Sequence, residues 1–156
     1  MNELTHRDIE KVNHALEYYL GGPINTMREI LFRGKRKDNG EWVEGYYLRI
    51  GKRHYIFTGM IDIINNIPDL IRYEVIPETV GEYTGFADKN DKKVFEGDIC
   101  LTSENGLPFI IEWNAYECSF YWRDIIKVGE FYGGVAKSSN VIGNRHDNPE
   151  LFSGEK

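Results

Sequence analysis

The sequence predicts a mainly β fold: an antiparallel, curled sheet or small β-barrel-like core with one N-terminal α-helix. Three observations carry that reading. Short apolar-alternating runs recur along most of the chain, turn-forming clusters such as Asp38-Asn39-Gly40 separate them, and helical spacing occurs convincingly only near the start. Seven or more short strands of this kind suit closure into a barrel, which also removes exposed edges.

Taken in order, residues 1–26 form a helical extension. Ile9, Val12, Leu16 and Leu20 share one helical face, Thr5 stands at the N-cap, and Gly21-Gly22-Pro23 ends the segment. A β-meander begins at Met27. Ile30 and Phe32 alternate with charged neighbours, Asn39-Gly40 reverses the chain, and Trp42 with Tyr46–Ile50 makes the return strand. Gly51-Lys52 turns it again toward His54–Phe57. A short strand around Met60–Ile64 and a turn or helical piece around Pro68–Ile71 follow, then a strand at Tyr73–Ile76 ended by Pro77.

The stretch TVGEYTGFADKNDKKVFEGDICLT, residues 79–102, is the most legible. Thr79–Thr84 reads as a strand, Asp88–Asp91 as a turn, and Val94–Thr102 as a strand interrupted at Gly97. Glu104-Asn105-Gly106 marks another hairpin. Phe109, Ile111 and Trp113 alternate on one face, and Cys118, Phe120 and Trp122 do the same after a reversal at Asn114–Glu117. Ile125–Phe131 adds an irregular strand, Gly133-Gly134 and Ser138-Ser139 flank a polar loop, and Val141–Gly143 makes a last strand before the tail at 153–156.

At 156 residues the chain supports one substantial core, and its 41% apolar and 28% charged content is that of a globular protein. A net charge of −6 argues against wholesale binding to nucleic acid or anionic membrane. No apolar run approaches the length of about 20 residues of a membrane span, and the polar N-terminus does not read as a signal peptide. The two cysteines, Cys100 and Cys118, read as free thiols in a reducing cytosol.

Chemistry is sparse. Asp88, Asp91, Glu96 and Asp98 are close in sequence, but Lys92, Lys93 and Ile99 occupy positions that a calcium loop needs for a ligand, the sharp-turn Gly and the bidentate Glu. Turn capping explains these acids better than a paired-acid site. His6, His14, His54 and His146 have no metal-ligand spacing, and neither a nucleophile elbow nor a phosphate-binding glycine motif is present. No catalytic residue, metal or cofactor is therefore assigned. The remaining candidates for nucleic-acid or partner contact are Arg33, Lys35, Arg36, Lys37, Trp42, Arg49 and Arg53. In a strand, Arg33, Lys35 and Lys37 project together near Trp42 and Tyr46, interleaved with Asp38, Glu41 and Glu44.

Several of these segments, in order, resemble the YopX family of phage and prophage proteins. The resemblance rests on Met-Arg-x-x-x-Phe-Arg-Gly at Met27–Gly34, including Arg33 and Gly34; on Thr79-Val80-Gly81, Thr84 and Gly85; on Glu96-Gly97-Asp98; and on Ile142-Gly143-Asn144 with Asn148-Pro149-Glu150-Leu151. Asp91 departs from the pattern, standing where such proteins often have Gly. The resemblance implies a barrel-like β domain over 27–152, brings no catalytic mechanism, and gives the motif residues no known role. It points to a non-enzymatic accessory or interaction module in the cytoplasm of a bacterial host. The expected partner is a phage or host protein or a second copy of the chain, with DNA or RNA at the basic hairpin as the alternative and no membrane.

Overall fold

The computed structural model describes residues 29–64, 67–103 and 106–152, and for 60–64 and 67–70 the backbone path alone. The helix expected before Met27 and the Glu104-Asn105 turn lie outside the described residues.

Among the described residues eleven strands and one short helix follow in order. They are β1 (Phe32–Lys35), β2 (Trp42–Ile50), β3 (Arg53–Ile64), β4 (Ile67–Glu74), β5 (Gly81–Ala87), β6 (Lys93–Phe95), β7 (Asp98–Leu101), β8 (Phe109–Asn114), β9 (Ser119–Arg123), β10 (Val128–Glu130), α1 (Gly133–Ser138) and β11 (Asn140–Asn144). Short 3-10 turns cover Pro77–Thr79 and Pro149–Leu151. Two antiparallel sheets result, ordered β4-β3-β2-β1-β5-β6 and β10-β9-β8-β7-β11. The expected barrel is not formed. Alternation and strand count define pleated faces, but closure needs first and last strands to pair, and here the chain leaves one sheet after β6 and starts the other at β7.

Two compact units divide the chain near residue 83. In the unit Glu29–Tyr83, β1 and β2 pair with Phe32 opposite Gly45 and Lys35 opposite Trp42, and Gly40 takes a φ of +74° in the tight return, as the Asn39-Gly40 signal predicts. Strand β3 runs through both short strands expected at 54–57 and 60–64, shifting register between Phe57 and Gly59. The piece expected around Pro68 is strand. Pro68 lacks an N–H, and β4 is an edge strand, the place in a sheet that tolerates this loss. Ile56 and Val75 are fully buried in this unit.

The unit from Thr84 onward is built around Val94, Cys100, Phe109, Ile111, Phe120, Phe131, Ala136 and Val141. Residues 109–111 are all buried, so the first half of β8 is covered on both faces. Trp113, expected to be inward with Phe109 and Ile111, is exposed, so the expected one-sided alternation is not kept. Cys118 lies in the turn before β9 at a φ of +50° and is exposed, whereas Cys100 is buried; both are free. Burial pushes the Cys100 thiol well above its usual range, removing it as a nucleophile. The loop expected around residues 133–139 contains α1, whose Ala136 is fully buried.

Asp88 fastens this unit together. Its carboxylate is fully buried and accepts backbone N–H bonds from Asn90 (2.8 Å) and Lys92 (3.0 Å) through Oδ1 and from Val141 (2.9 Å) through Oδ2. Burial pushes its pKa up, but the hydrogen bonds from Val141, Lys92 and Asn90 outweigh this and hold it below the usual carboxylate range. The acid thus closes the β5–β6 turn on itself and ties it to β11.

A group held below its unfolded pKa stabilises the fold fully above that value and loses the contribution as pH falls through the folded one. Asp88→Asn is therefore expected to cost about 2 kcal/mol at neutral pH, with the gap from the parent narrowing below about pH 3.9. Urea unfolding of both proteins at two pH values checks this, and a gap that widens in acid contradicts it. Two further positions have opposite signs. Gly97 takes a φ of +84° and a Cβ there would stand 3.3 Å from Arg145 Nε, so Gly97→Ala is expected to cost about 1–2 kcal/mol. Asp91 sits at φ +61° with only the exposed Lys137 ion pair (2.9 Å) in compensation, so Asp91→Gly is expected to gain about 0.5 kcal/mol in the same assay.

Candidate functional site

The basic run is divided by the pleat of β1. Arg33 and Lys35 share one face, opposite Glu44 and Trp42, with the Arg33 guanidinium 4.8 Å and the Lys35 ammonium 5.6 Å from the Trp42 ring centre. Arg36 lies over the Tyr73 ring at 4.1 Å, holds Asp38 through two hydrogen bonds (2.9 and 2.6 Å) and approaches Glu41 at 3.6 Å. The hydrogen bond to Asp38 raises the Arg36 pKa and lowers that of Asp38. Lys37 pairs with Glu74 at 2.8 Å, and that bond holds the Glu74 carboxyl low. Of the acids that interleave the run in sequence, Asp38 and Glu41 thus engage Arg36, whereas Lys37 is held by Glu74 from 37 residues away.

Arg49 and Arg53 stand at the other end of the β2–β3 hairpin. Arg49 Nε donates to the Gly51 carbonyl at 2.9 Å, and its odd position sends it to the opposite face from Trp42. Arg53 is opposite Ile50, on the Trp42 face, with its pKa raised by a hydrogen bond to Tyr55. The two cation groups are brought onto one sheet without forming a continuous basic face.

Between them lies an apolar stripe that composition did not single out. Tyr46, Leu48 and Ile50 project from the Trp42 face of β2 and are 71%, 46% and 56% exposed. Half-buried Phe57 and Tyr55 stand opposite Tyr46 and Leu48 on β3. The reverse face is closed by Ile56 and by Tyr47, which packs on Phe32 (5.4 Å between ring centres) and bonds His54 Nδ1 at 2.6 Å. Its signal in the sequence is YYLRI, apolar on both faces of one strand where a solvated hairpin carries polar residues on one. A shallow cleft near the β4 edge, lined by Lys37, Asp38, Arg72, Tyr73 and Glu74, is mostly charged.

The recurrent motif residues sit elsewhere, mainly at turns and joints. Thr79 Oγ1 accepts from Lys35 N (2.8 Å) and donates to Ile76 O (2.7 Å), fastening the 3-10 turn to β1. Gly81 lies opposite Arg33 in the β1–β5 pairing, and Gly34 abuts Val75 so closely that a Cβ would come within 3.1 Å of it. Thr84 Oγ1 donates to Val94 O (2.8 Å) and accepts from Phe86 N, next to Gly85 at φ +88°. Glu96-Gly97 is the turn that carries the chain between sheets. Gly97 N donates to Ile111 O, its carbonyl accepts from Arg145 N, and the buried Asp98 carboxylate caps Phe95 N at 2.8 Å.

Gly143 lies under Asn148 and Leu151 with no room for a side chain, while Asn144 Oδ1 accepts from His146 N and Asp147 N, and Pro149 opens the last 3-10 turn. Behind this corner Glu112 bridges Arg123 (2.7 Å) and Arg145 (3.3 Å), which hold its carboxyl low, Arg123 foremost. Asp88 and Asp98 are each spent on backbone N–H groups, and among the described residues no cluster of His, Cys, Asp and Glu is arranged to hold a metal ion. Among them, too, no helix is long and apolar enough to cross a membrane.

Comparison with known proteins agrees with this architecture. A solved structure, protein EF1440 from Enterococcus faecalis, is similar over 81% of this chain and all of its own, at 21% identity and a TM-score of 0.59, a likeness of fold. No curated protein matches. The family described as YopX protein matches residues 31–153, a span that takes in every turn and joint just described, and on that match the chain belongs to the YopX family.

Proposed function

We propose that this protein is a non-enzymatic interaction module of phage or prophage origin, and that it engages a protein partner through the outward face of β2 and β3. The observation that carries this reading is the exposure of Tyr46, Leu48 and Ile50 on alternate positions of one strand. Water-facing strand positions ordinarily carry polar side chains, and contiguous apolar ones rimmed by charge are typical of contact surfaces. Arg33, Lys35 and Glu44 rim the stripe at one end and Arg53 at the other, with Glu74 opposite Tyr55 and paired to Lys37, an arrangement suited to orienting a partner. Asp88 and Asp98, close in sequence, hold backbone N–H groups at turns, which supports a role without catalysis.

A second reading, contact with single-stranded nucleic acid, draws on Arg33 and Lys35 beside the Trp42 ring. It is weaker, because Arg36 and Lys37 are engaged by acids and an uncharged stripe separates the two cation groups.

Affinity capture with tagged protein from induced lysogens, with and without nuclease, tests the first reading against the second. A defined partner is expected to survive nuclease and to be lost with Tyr46→Ser/Leu48→Ser/Ile50→Ser while Arg33→Gln/Lys35→Gln retains at least part of it. Recovery of nucleic acid alone, lost with the Arg33/Lys35 variant, would put the second reading first.

A further inference from the structure

The unit from Thr84 onward contains a cleft distant in sequence from the β2–β3 stripe and independent of the reading given for it. It measures about 300 Å³, at the small end of ligand pockets. Its lining comes from the end of β7 and the approach to β8 (Thr102, Leu107, Phe109), from β9 and the turn after it (Trp122, Asp124), and from α1 (Val135, Ser138).

The apolar wall is fixed by packing. Phe109 is buried, and its ring meets Trp122 edge-on at 5.9 Å. Trp122 in turn lies against Gly129, where a Cβ would come within 2.8 Å of the indole. Val135 packs on the same core, and Leu107 is an exposed lip. A flat or branched hydrocarbon body fits such a surface, whose slot is already formed and needs no reorganisation.

The polar members are all oxygen acceptors. Asp124 Oδ1 receives the backbone N–H groups of Ile126 and Lys127, both at 2.6 Å, which fix the carboxylate and, by those bonds, hold its pKa below the usual range. Its second oxygen takes no hydrogen bond among the described residues. The Ser138 hydroxyl donates to the Val135 carbonyl (2.9 Å), leaving its lone pairs, and Thr102 adds a second hydroxyl. Among the described residues no cationic side chain lines the cleft; Lys127, whose charge acts on Asp124, is not part of the lining. A primary ammonium has three N–H donors and one positive charge, matching a carboxylate and two hydroxyls beside an apolar wall.

We propose that this cleft binds a small free amphipathic amine, its aromatic or branched body against Phe109, Trp122 and Val135 and its ammonium at Asp124. The specificity element is the charge, because an apolar slot alone takes amine and alcohol alike.

The experiment is a titration of the full chain, followed by 1H–15N NMR, with phenethylamine, tryptamine and the uncharged isostere phenethyl alcohol. The proposal expects saturable shifts at the Trp122 indole N–H and the α1 amides with both amines, and at least tenfold weaker binding of the alcohol. Asp124→Asn, which keeps an acceptor for the turn, is expected to bring the amines down to the alcohol's level. Val135→Trp, which fills the slot, is expected to abolish all three, each variant's fold being checked by its own spectrum. Equal binding of amine and alcohol by the parent overturns the proposal. So does an amine affinity untouched by Asp124→Asn, or the absence of saturable shifts at millimolar ligand. If Val135→Trp does not fold, the Asp124 comparison decides alone.

Discussion

The buried carboxylate of Asp88 is the constraint on which the unit from Thr84 onward depends. Three backbone N–H groups, from Asn90, Lys92 and Val141, converge on it. The Val141 N–H is removed from water, and a buried donor left without an acceptor costs more than a hydrogen bond ordinarily gains, while Asn90 and Lys92 donate from the partly buried turn. Lys89 N adds a bond to Ser139 O beside it. Residues 88–92 and 139–141, some fifty positions apart, are thereby held together, and β5, β6 and β11 take their places from that junction. Gly97 and Asp98 do the equivalent at the point where the chain changes sheet.

This explains why the motifs spoke clearly of family and poorly of function. Thr79, Thr84, Gly97, Asp98, Gly143 and Asn144 are short or absent side chains that close turns, satisfy backbone groups or allow a close approach. Such positions accept few substitutions for steric and hydrogen-bonding reasons, whatever the protein binds. The exposed apolar stripe on the outward side of β2 and the slot between β9 and α1 lie in the plain stretches between.

Legibility followed the range of the interaction concerned. The Asn39-Gly40 hairpin, the Glu96-Gly97 interruption and the alternation around Phe120 and Trp122 are decided within a few residues, and these were readable. Closure was not, because pairing between distant edges leaves no local trace, and two open sheets use the same alternating strands as a barrel. The segment of α1 reads as a loop in the sequence, since Gly-Gly and Ser-Ser at its ends outweigh the brief Val-Ala-Lys between them. Only the burial of Ala136 against the core makes a helix there worthwhile. Of the contact residues, Arg33, Lys35 and Trp42 were brought together as their spacing suggested, but the pairing of Lys37 with Glu74 joins positions 37 residues apart and could not be foreseen.

The account turns on the β2 stripe being surface and the motif residues being structure. The most direct test is the thermal unfolding of Tyr46→Ser/Leu48→Ser/Ile50→Ser beside the parent. Side chains that face water contribute little to the folded state, so the triple variant should unfold cooperatively within a few degrees of the parent. A large fall in midpoint, or loss of the cooperative transition, would mean that the stripe is core and that no contact surface exists there.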